Sequence, residues 1–488
     1  MNSSHSGSNV GAGVGGGAGA PADAARGPIP FDWKPQPAAQ RVVDDFLHEF
    51  LSRCPDAMDL SRRMKDDTGT RLGDWVDYVR APASRADRAR LLSVGFGHRP
   101  LAGAPECFIH EGAIFPTFVL EDSPLLRVGV RVDSCADFLA TWRLEHEILG
   151  EPGGPLRTAR AFTGDNAELW VIERHGYSGF DIPTVAASTC LAAQRHLEIL
   201  RRRRRGFGIG PDADREGFAH ASRLIDAAIA DLGRDWTCDL FFAAERDYWQ
   251  RRCRAARVQK GRQDTLGLGW ANHDHHTYRS SRHCYADLIG VLEKLGFGCR
   301  ERFYAGHEAY WGAQVLEQPT ARITIFADVD MTPEELMGDF AHQGFATPIA
   351  GGKLGTIGLW CRLHGEAFLE AGMHHLECQF DWWGLRNQLE REANIRMMDP
   401  FTTFPYLRQC FTEGERWHID PERIEVLLEE GLISREQAET FWTQGAIGSH
   451  LENLERNDGF KGFNQQGVSD IIARTDPRKA GRHSLVGA

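Results

Sequence analysis

Two stretches of this chain carry period-two alternation followed by a helical pattern, and long helical segments separate and flank them. In the first, Leu126, Val128, Val130 and Val132 alternate with Arg127, Gly129, Arg131 and Asp133, which is the periodicity of a half-buried strand. Apolar spacing then turns helical over Phe138–Leu149, and strand-like stretches follow near 156–162 and 168–173. The second stretch runs strand (273–280), helix (284–295) and three strands (299–304, 310–316 and 322–328). A chain that repeats strand–helix–strands in this way is expected to be α+β.

On this reading the chain divides into six parts. Residues 1–28, rich in Gly, Ala and Ser, cannot offset their ordering entropy and are expected as a tail. Residues 29–113 are expected as a helical N-terminal region and 114–183 as a first βα module. A helical insertion covers 184–267, a second βα module 268–394, and a helical, irregular region 395–488. Within the last, Asp420-Pro421 and Ser434-Arg-Glu-Gln437 read as helix starts, the second with the spacing of a capping box. The run Arg201–Arg205 reads as a solvated helix C-terminus, where cations complement the dipole.

The formal net charge of −12 argues against nucleic acid as a partner. No apolar run is long enough to span a bilayer. Eleven cysteines lie singly, with no CxxC pair, so neither a disulfide framework nor a thiolate zinc site is expected, and the cytoplasm is the expected compartment. The long helical segments are compatible with a homodimer.

The chemistry concentrates in the second module. On a strand over 273–280, His275, Thr277 and Arg279 share one face, with His276 and Tyr278 on the other. Over 374–380, Leu376, Cys378 and Phe380 read as buried, and His375, Glu377 and Gln379 face the opposite way. Two imidazoles and a carboxylate, His275, His375 and Glu377, form the set associated with open-sided non-haem Fe(II). Mn, Zn or Ni is an alternative divalent metal. Arg279 is the expected catalytic clamp for a substrate carboxylate. Residues 354–364 are read as a further strand, placing Trp360, Arg362, His364 and then Glu366 on one face. Arg362 and Gln379 are therefore candidate substrate contacts. His276, like His374, remains a secondary candidate because a one-residue slip in register exchanges strand faces. His364 and Glu366 are candidates for supporting the ligands or touching substrate, and Glu168 for reaching a metal from the first module.

The segment from Asp274-His275 through Leu295-Gly-Phe297 to Asp328 resembles a module of the vicinal oxygen chelate superfamily. His375-Leu-Glu-Cys-Gln-Phe-Asp381 is similar to the first strand of another such module. His275-His-Thr-Tyr-Arg279-Ser280 resembles the opening of the 2-oxoadipate dioxygenase/decarboxylase family. That resemblance implies βαβββ chelate-type modules in a curved mixed sheet and a two-His, one-Glu iron site. It implies His275 and His375 as ligands, Arg279 as the substrate clamp, and a reaction of a 2-oxo acid with O2 that releases CO2. The third ligand stays open among Glu377, Glu366 and Glu168. A chelate-fold isomerase or lyase without O2, and a non-enzymatic binding protein, are the alternative readings.

Overall fold

The computed structural model describes residues 32–304, 310–345 and 354–479; the expected tail at 1–28 lies outside them. Strand Val76–Pro82 leads into helix Arg85–Ser93, whose first turn is capped by Ser84 accepting from the Asp87 amide. Three short strands follow, Gly97–His98, Cys107–Ile109 and Thr117–Glu121, and the last returns parallel to Val76–Pro82. The same βαβββ order recurs from Leu126–Arg131 through helix Cys135–Trp142 to Ala167–Arg174, which again pairs parallel with its module's first strand. The two modules join where Val76–Pro82 and Leu126–Arg131 run antiparallel, giving one eight-stranded sheet.

A second pair of modules repeats this plan. The third runs from His273–Ser280 through helix Tyr285–Lys294 to strand Ile323–Asp330. The fourth runs from His375–Gln379 through helix Trp382–Ala393 to strand Ala446–Arg456. Their first strands are again antiparallel neighbours, in a nine-stranded sheet. The expected chelate-type βαβββ modules are thus present four times, two per sheet.

Three expectations about the elements need correction. Residues 29–113 are not only helical, because the first module occupies 76–121. The region expected as helical and irregular from 395 on does carry helices, Pro421–Glu429, Arg435–Gln444 and Gln465–Arg474, but its described residues also hold strands Thr402–Phe404, Leu407–Phe411, Glu415–Trp417 and Ala446–Arg456. Helices Pro421–Glu429 and Arg435–Gln444 are inserted among those strands and break up the alternation that would have marked them. Ser434 and Gln437 do form the capping box. Finally, Thr356–His364 is a helix. Nearly every residue of it is buried, so its sequence has no polar face from which a period can be read. Asp330 decides the matter by accepting from the Ile357 and Gly358 amides at the helix N-terminus (3.1 and 2.8 Å).

The first sheet packs Val79, Val128, Val130, Leu169 and Val171 against Phe46, Phe50, Leu60 and Met64 of helices Pro37–Arg53 and Pro55–Thr68. The second packs Tyr278, Leu376 and Cys378 against the helical insertion through Phe242 and Trp249. Arg203 and Arg205 are not solvated. Both are buried against Glu245 (Arg205 at 2.6 Å), and they also donate to backbone carbonyls of Phe368 and Leu369. All eleven cysteines are free thiols, and no helix among the described residues is long and apolar enough to cross a membrane.

His175 ties the second module to the insertion. Its Nδ1 lies 2.8 Å from Asp239 and its Nε2 3.1 Å from Glu173. Burial opposes its charge, but hydrogen bonds to the two carboxylates outweigh burial and lift its pKa to about 10. A raised imidazole pKa stabilises the fold fully below about 6.5, and that contribution is lost as pH rises through about 10. The melting temperature should therefore fall between pH 7 and 10, and His175→Gln should flatten that limb. An unchanged slope in the variant would refute the assignment.

Candidate metal centre

Three adjacent strands of the second sheet bring five metal-donor side chains to one face. In His273–Ser280, His275, Thr277 and Arg279 line a narrow cavity, and Tyr278 turns to the core. The antiparallel neighbour places Glu377 opposite His275 and His375 opposite Thr277. The next strand is parallel and in register, pairing His375-Leu376-Glu377 with His450-Leu451-Glu452. An identical tripeptide on adjacent parallel strands sets two histidines side by side and two glutamates side by side.

His275 Nε2 lies 3.3 Å from Glu377 Oε1, and His375 Nε2 contacts the same oxygen. One donor atom each of His275, Glu377 and Glu452 falls within 4.8 Å of the others. Thr277 Oγ1 donates to Glu377 Oε1 (2.8 Å), and Gln409 Nε2 donates to Glu452 Oε1 (2.9 Å). Phe326, Phe401, Phe411 and Phe463 wall the cavity with apolar surface.

The donor chemistry fits a divalent cation. His275 Nδ1 is 2.8 Å from Asp274 Oδ1. Arg456 holds Asp274 in turn, through Nε (2.7 Å) and Nη2 (3.0 Å). Burial raises the Asp274 pKa, but Arg456 and His275 outweigh it and keep the carboxyl ionised, well below the usual range. An ionised carboxylate only accepts, so Nδ1 carries the proton and Nε2 presents its lone pair to the cavity. Burial likewise holds His275 and His375 below the ordinary imidazole value, in the neutral form a ligand requires. His375 Nδ1 and Glu377 Oε2 are buried without hydrogen-bond partners, each at a cost of about 1–3 kcal/mol. Burial raises the Glu377 and Glu452 pKa values, that of Glu452 to about 8; the charge of Glu452 adds to the rise at Glu377, whereas hydrogen bonding from Gln409 and Glu377 opposes it at Glu452. Two adjacent buried carboxyls share a proton unless a cation takes its place.

Arg279 opens on the same cavity. It is 1% exposed, lies 5.5 Å from the Trp360 ring, and its Nε has no hydrogen-bond partner. Burial lowers its pKa to about 10 and pushes neighbouring Asp328 up to about 7, against the pull of Arg279. The guanidinium remains charged at neutral pH beside a half-neutralised acid, which leaves it available to an anion.

The structure therefore brings together His275, Arg279, His375 and Glu377. The other candidates lie elsewhere. Arg362 pairs with Glu430 (2.6 Å) on the outer side of its helix. Gln379 donates to Asp274 (3.3 Å) instead of facing the cavity. His364 contacts the Ile447 carbonyl, and His276 sits on the opposite sheet face against Arg246 and Phe242. Glu366 accepts from the Ser281 amide and belongs to a separate group with Asp214, His283 and Cys284. Glu168 is in the first sheet, bound to Arg127 (3.0 Å) and Trp170 Nε1 (2.9 Å). That sheet presents Tyr78, Arg80, Arg127 and Trp170 where the second presents its donors. Glu452 was not among the candidates, although the repeated His-Leu-Glu was available in the sequence to signal it.

No family model and no curated protein matches the chain. Solved structures with some likeness include a triple mutant of 4-hydroxymandelate synthase from Streptomyces coelicolor. It is 14% identical, with a TM-score of 0.26, over 72% of this chain and 97% of that one. Methylmalonyl-CoA epimerase from Mycobacterium tuberculosis is 13% identical, with a TM-score of 0.20, over 38% of this chain and 88% of that one. A xylose isomerase-like TIM barrel/4-hydroxyphenylpyruvate dioxygenase fusion protein is 10% identical, with a TM-score of 0.23, over 84% of this chain and 53% of that one. Overlaps this loose carry no argument; what stands is the strand order itself, four βαβββ modules paired in two mixed sheets.

Proposed function

We propose that this protein is a metal-dependent oxidoreductase, a non-haem Fe(II) dioxygenase/decarboxylase acting on a small 2-oxo or hydroxy carboxylic acid. The observation that supports this reading is the convergence of two neutral imidazoles, a carboxylate pair and an unpaired guanidinium on one cavity. His275, His375 and Glu452 would hold the metal. Glu452 is the better anion of the pair because the Gln409 amide donates to it. Bound there, Fe(II) supplies Lewis-acid polarisation of the substrate oxygens and a redox centre for O2.

The chain's own residues do the rest. Arg279 clamps the substrate carboxylate, and its burial strengthens that pairing. Asp274 keeps the His275 proton on Nδ1. Glu377, beside Glu452, holds the proton the pair shares, with Thr277 fixing its Oε1. The phenyl walls exclude bulk water.

Two measurements test this. Anaerobically Fe(II)-loaded protein should consume O2 and release CO2 with some member of a panel of 2-oxo acids. Turnover of such acids without O2 uptake would instead assign a metal-dependent isomerase or lyase. Second, Glu452→Gln should reduce Fe(II) affinity by about 100-fold or more, beyond the roughly 10–100-fold lost when a ligand's hydrogen-bond partner is removed. Glu377→Gln should bind metal nearly as wild type. The reverse pattern would make Glu377 the ligand.

A further inference from the structure

On the other side of the second sheet from the metal centre lies a cavity of about 280 Å³. Its wall combines the end of strand Leu126–Arg131, helices Ala187–Arg202 and Arg234–Arg252 of the insertion, and the segment from Trp270 to His273. It is lined by nine charged or chargeable side chains besides His273, and seven of these are matched. Arg174 pairs with Asp77 (2.8 Å), and Arg201 with Asp247 (2.6 Å). His175 bridges Glu173 and Asp239. Asp133 accepts from the Trp270 amide (2.7 Å).

The two left over are both arginines. Arg131 makes no hydrogen bond or ion pair with any described residue. The one polar contact of Arg246 is Nη1 to His276 Nε2 at 3.4 Å. His276 brings no negative charge, and Arg246 is 8% exposed. Half-buried Arg131 and buried Arg246 thus face one cavity with no described carboxylate in hydrogen-bond or ion-pair contact with either; Asp239 and Asp133 act on them only at longer range. Val132, Leu197, Leu240 and Trp270 supply apolar wall around them. An enclosed space that combines convergent charged donors with some apolar wall suits a small charged ligand rather than an apolar one.

We propose that this cavity binds a small organic anion whose carboxylate or phosphate group is held by Arg131 and Arg246. The site is separate from the metal centre: Arg246 reaches His276, whose side chain projects from the face of the strand opposite His275. It does not depend on the proposed reaction.

Metal-loaded protein is titrated by calorimetry with inorganic phosphate and, separately, with succinate. At least one should bind saturably at one site, and which of them does identifies the head group. Arg131→Gln and Arg246→Gln should each weaken binding about tenfold or more, as loss of a charge-assisted hydrogen bond does. Arg279→Gln should not. In the wild-type protein, which sidesteps any folding defect of the variants, the ligand should slow phenylglyoxal modification of Arg131 and Arg246, read by peptide mass spectrometry. Saturable binding of neither probe overturns the proposal. So does binding that is lost in Arg279→Gln and kept in Arg131→Gln, which would place the anion at the metal centre.

Discussion

Alanine at His275 or His375 is expected to abolish stable metal binding, and turnover with it, while leaving the protein folded. Each substitution removes one of two imidazoles whose Nε2 atoms meet at a single point, the Oε1 of Glu377. The loss should exceed the roughly 10–100-fold in affinity typical of disturbing a ligand's supporting hydrogen bond. Folding should survive because both side chains line a cavity, where their apolar contacts are with the phenyl rings of its wall, Phe326, Phe411 and Phe463. His375→Ala also deletes a buried nitrogen that has no partner, so its melting temperature without metal should equal or exceed that of wild type. Metal content by elemental analysis and thermal unfolding on the same samples check both halves. Full metal content in the two variants would end the metal-centre reading.

Asp274→Ala should be the most damaging single change to stability outside the hydrophobic core. Asp274 and Arg456 are each 3% exposed at the side chain and are joined by two short contacts. Arg456 also donates to the Phe460 and Gly462 carbonyls. Removing the carboxylate strands a buried guanidinium, at a cost of about 3–5 kcal/mol. It also frees the His275 ring, so metal affinity should fall by about 10–100-fold in the protein that does fold. A depressed carboxyl pKa contributes stability above its unfolded value of about 3.9, lost as pH falls through the folded value. The variant should therefore lose part of the wild-type acid limb. Urea unfolding at pH 7 and pH 4 reads all of this; a cost under about 1 kcal/mol at pH 7 would show the pair to be dispensable. Replacing both partners with apolar residues should cost much less than the sum of the single changes.

The cavity-facing set on His273–Ser280 was legible because its neighbours alternate cleanly: Tyr278 is core, and His275, Thr277 and Arg279 are not. The same reasoning carried Glu377, whose neighbours Leu376 and Cys378 are buried apolar residues. It failed for 354–364, where burial on all sides erases the contrast that reveals a period. It also missed the strand Ala446–Arg456, in which Glu452, Asn453, Glu455 and Arg456 are all buried but matched by partners. A polar residue satisfied inside the fold looks, in sequence, like a polar residue in water. Arg203 and Arg205 misled for the same reason, their shared partner Glu245 lying some forty residues away.

What the amino-acid order determined by itself was local: which residues alternate, where Ser434 starts a helix, and that two imidazoles and a guanidinium face one way on their strands. Strand period and capping depend on neighbours within a few positions, so one sequence is enough to show them. That a second carboxylate lies beside Glu377 and the histidines was decided only in three dimensions. The parallel pairing of 375–379 with strand 446–456 carries Glu452 to Glu377 across 75 residues, past two inserted helices. Register between distant strands is set by the packing of both faces at once, and no local pattern encodes it. The four residues first grouped as one site, His275, Arg279, His375 and Glu377, do line one cavity. Beside Glu377 stands Glu452, a neighbour that only the sheet could supply.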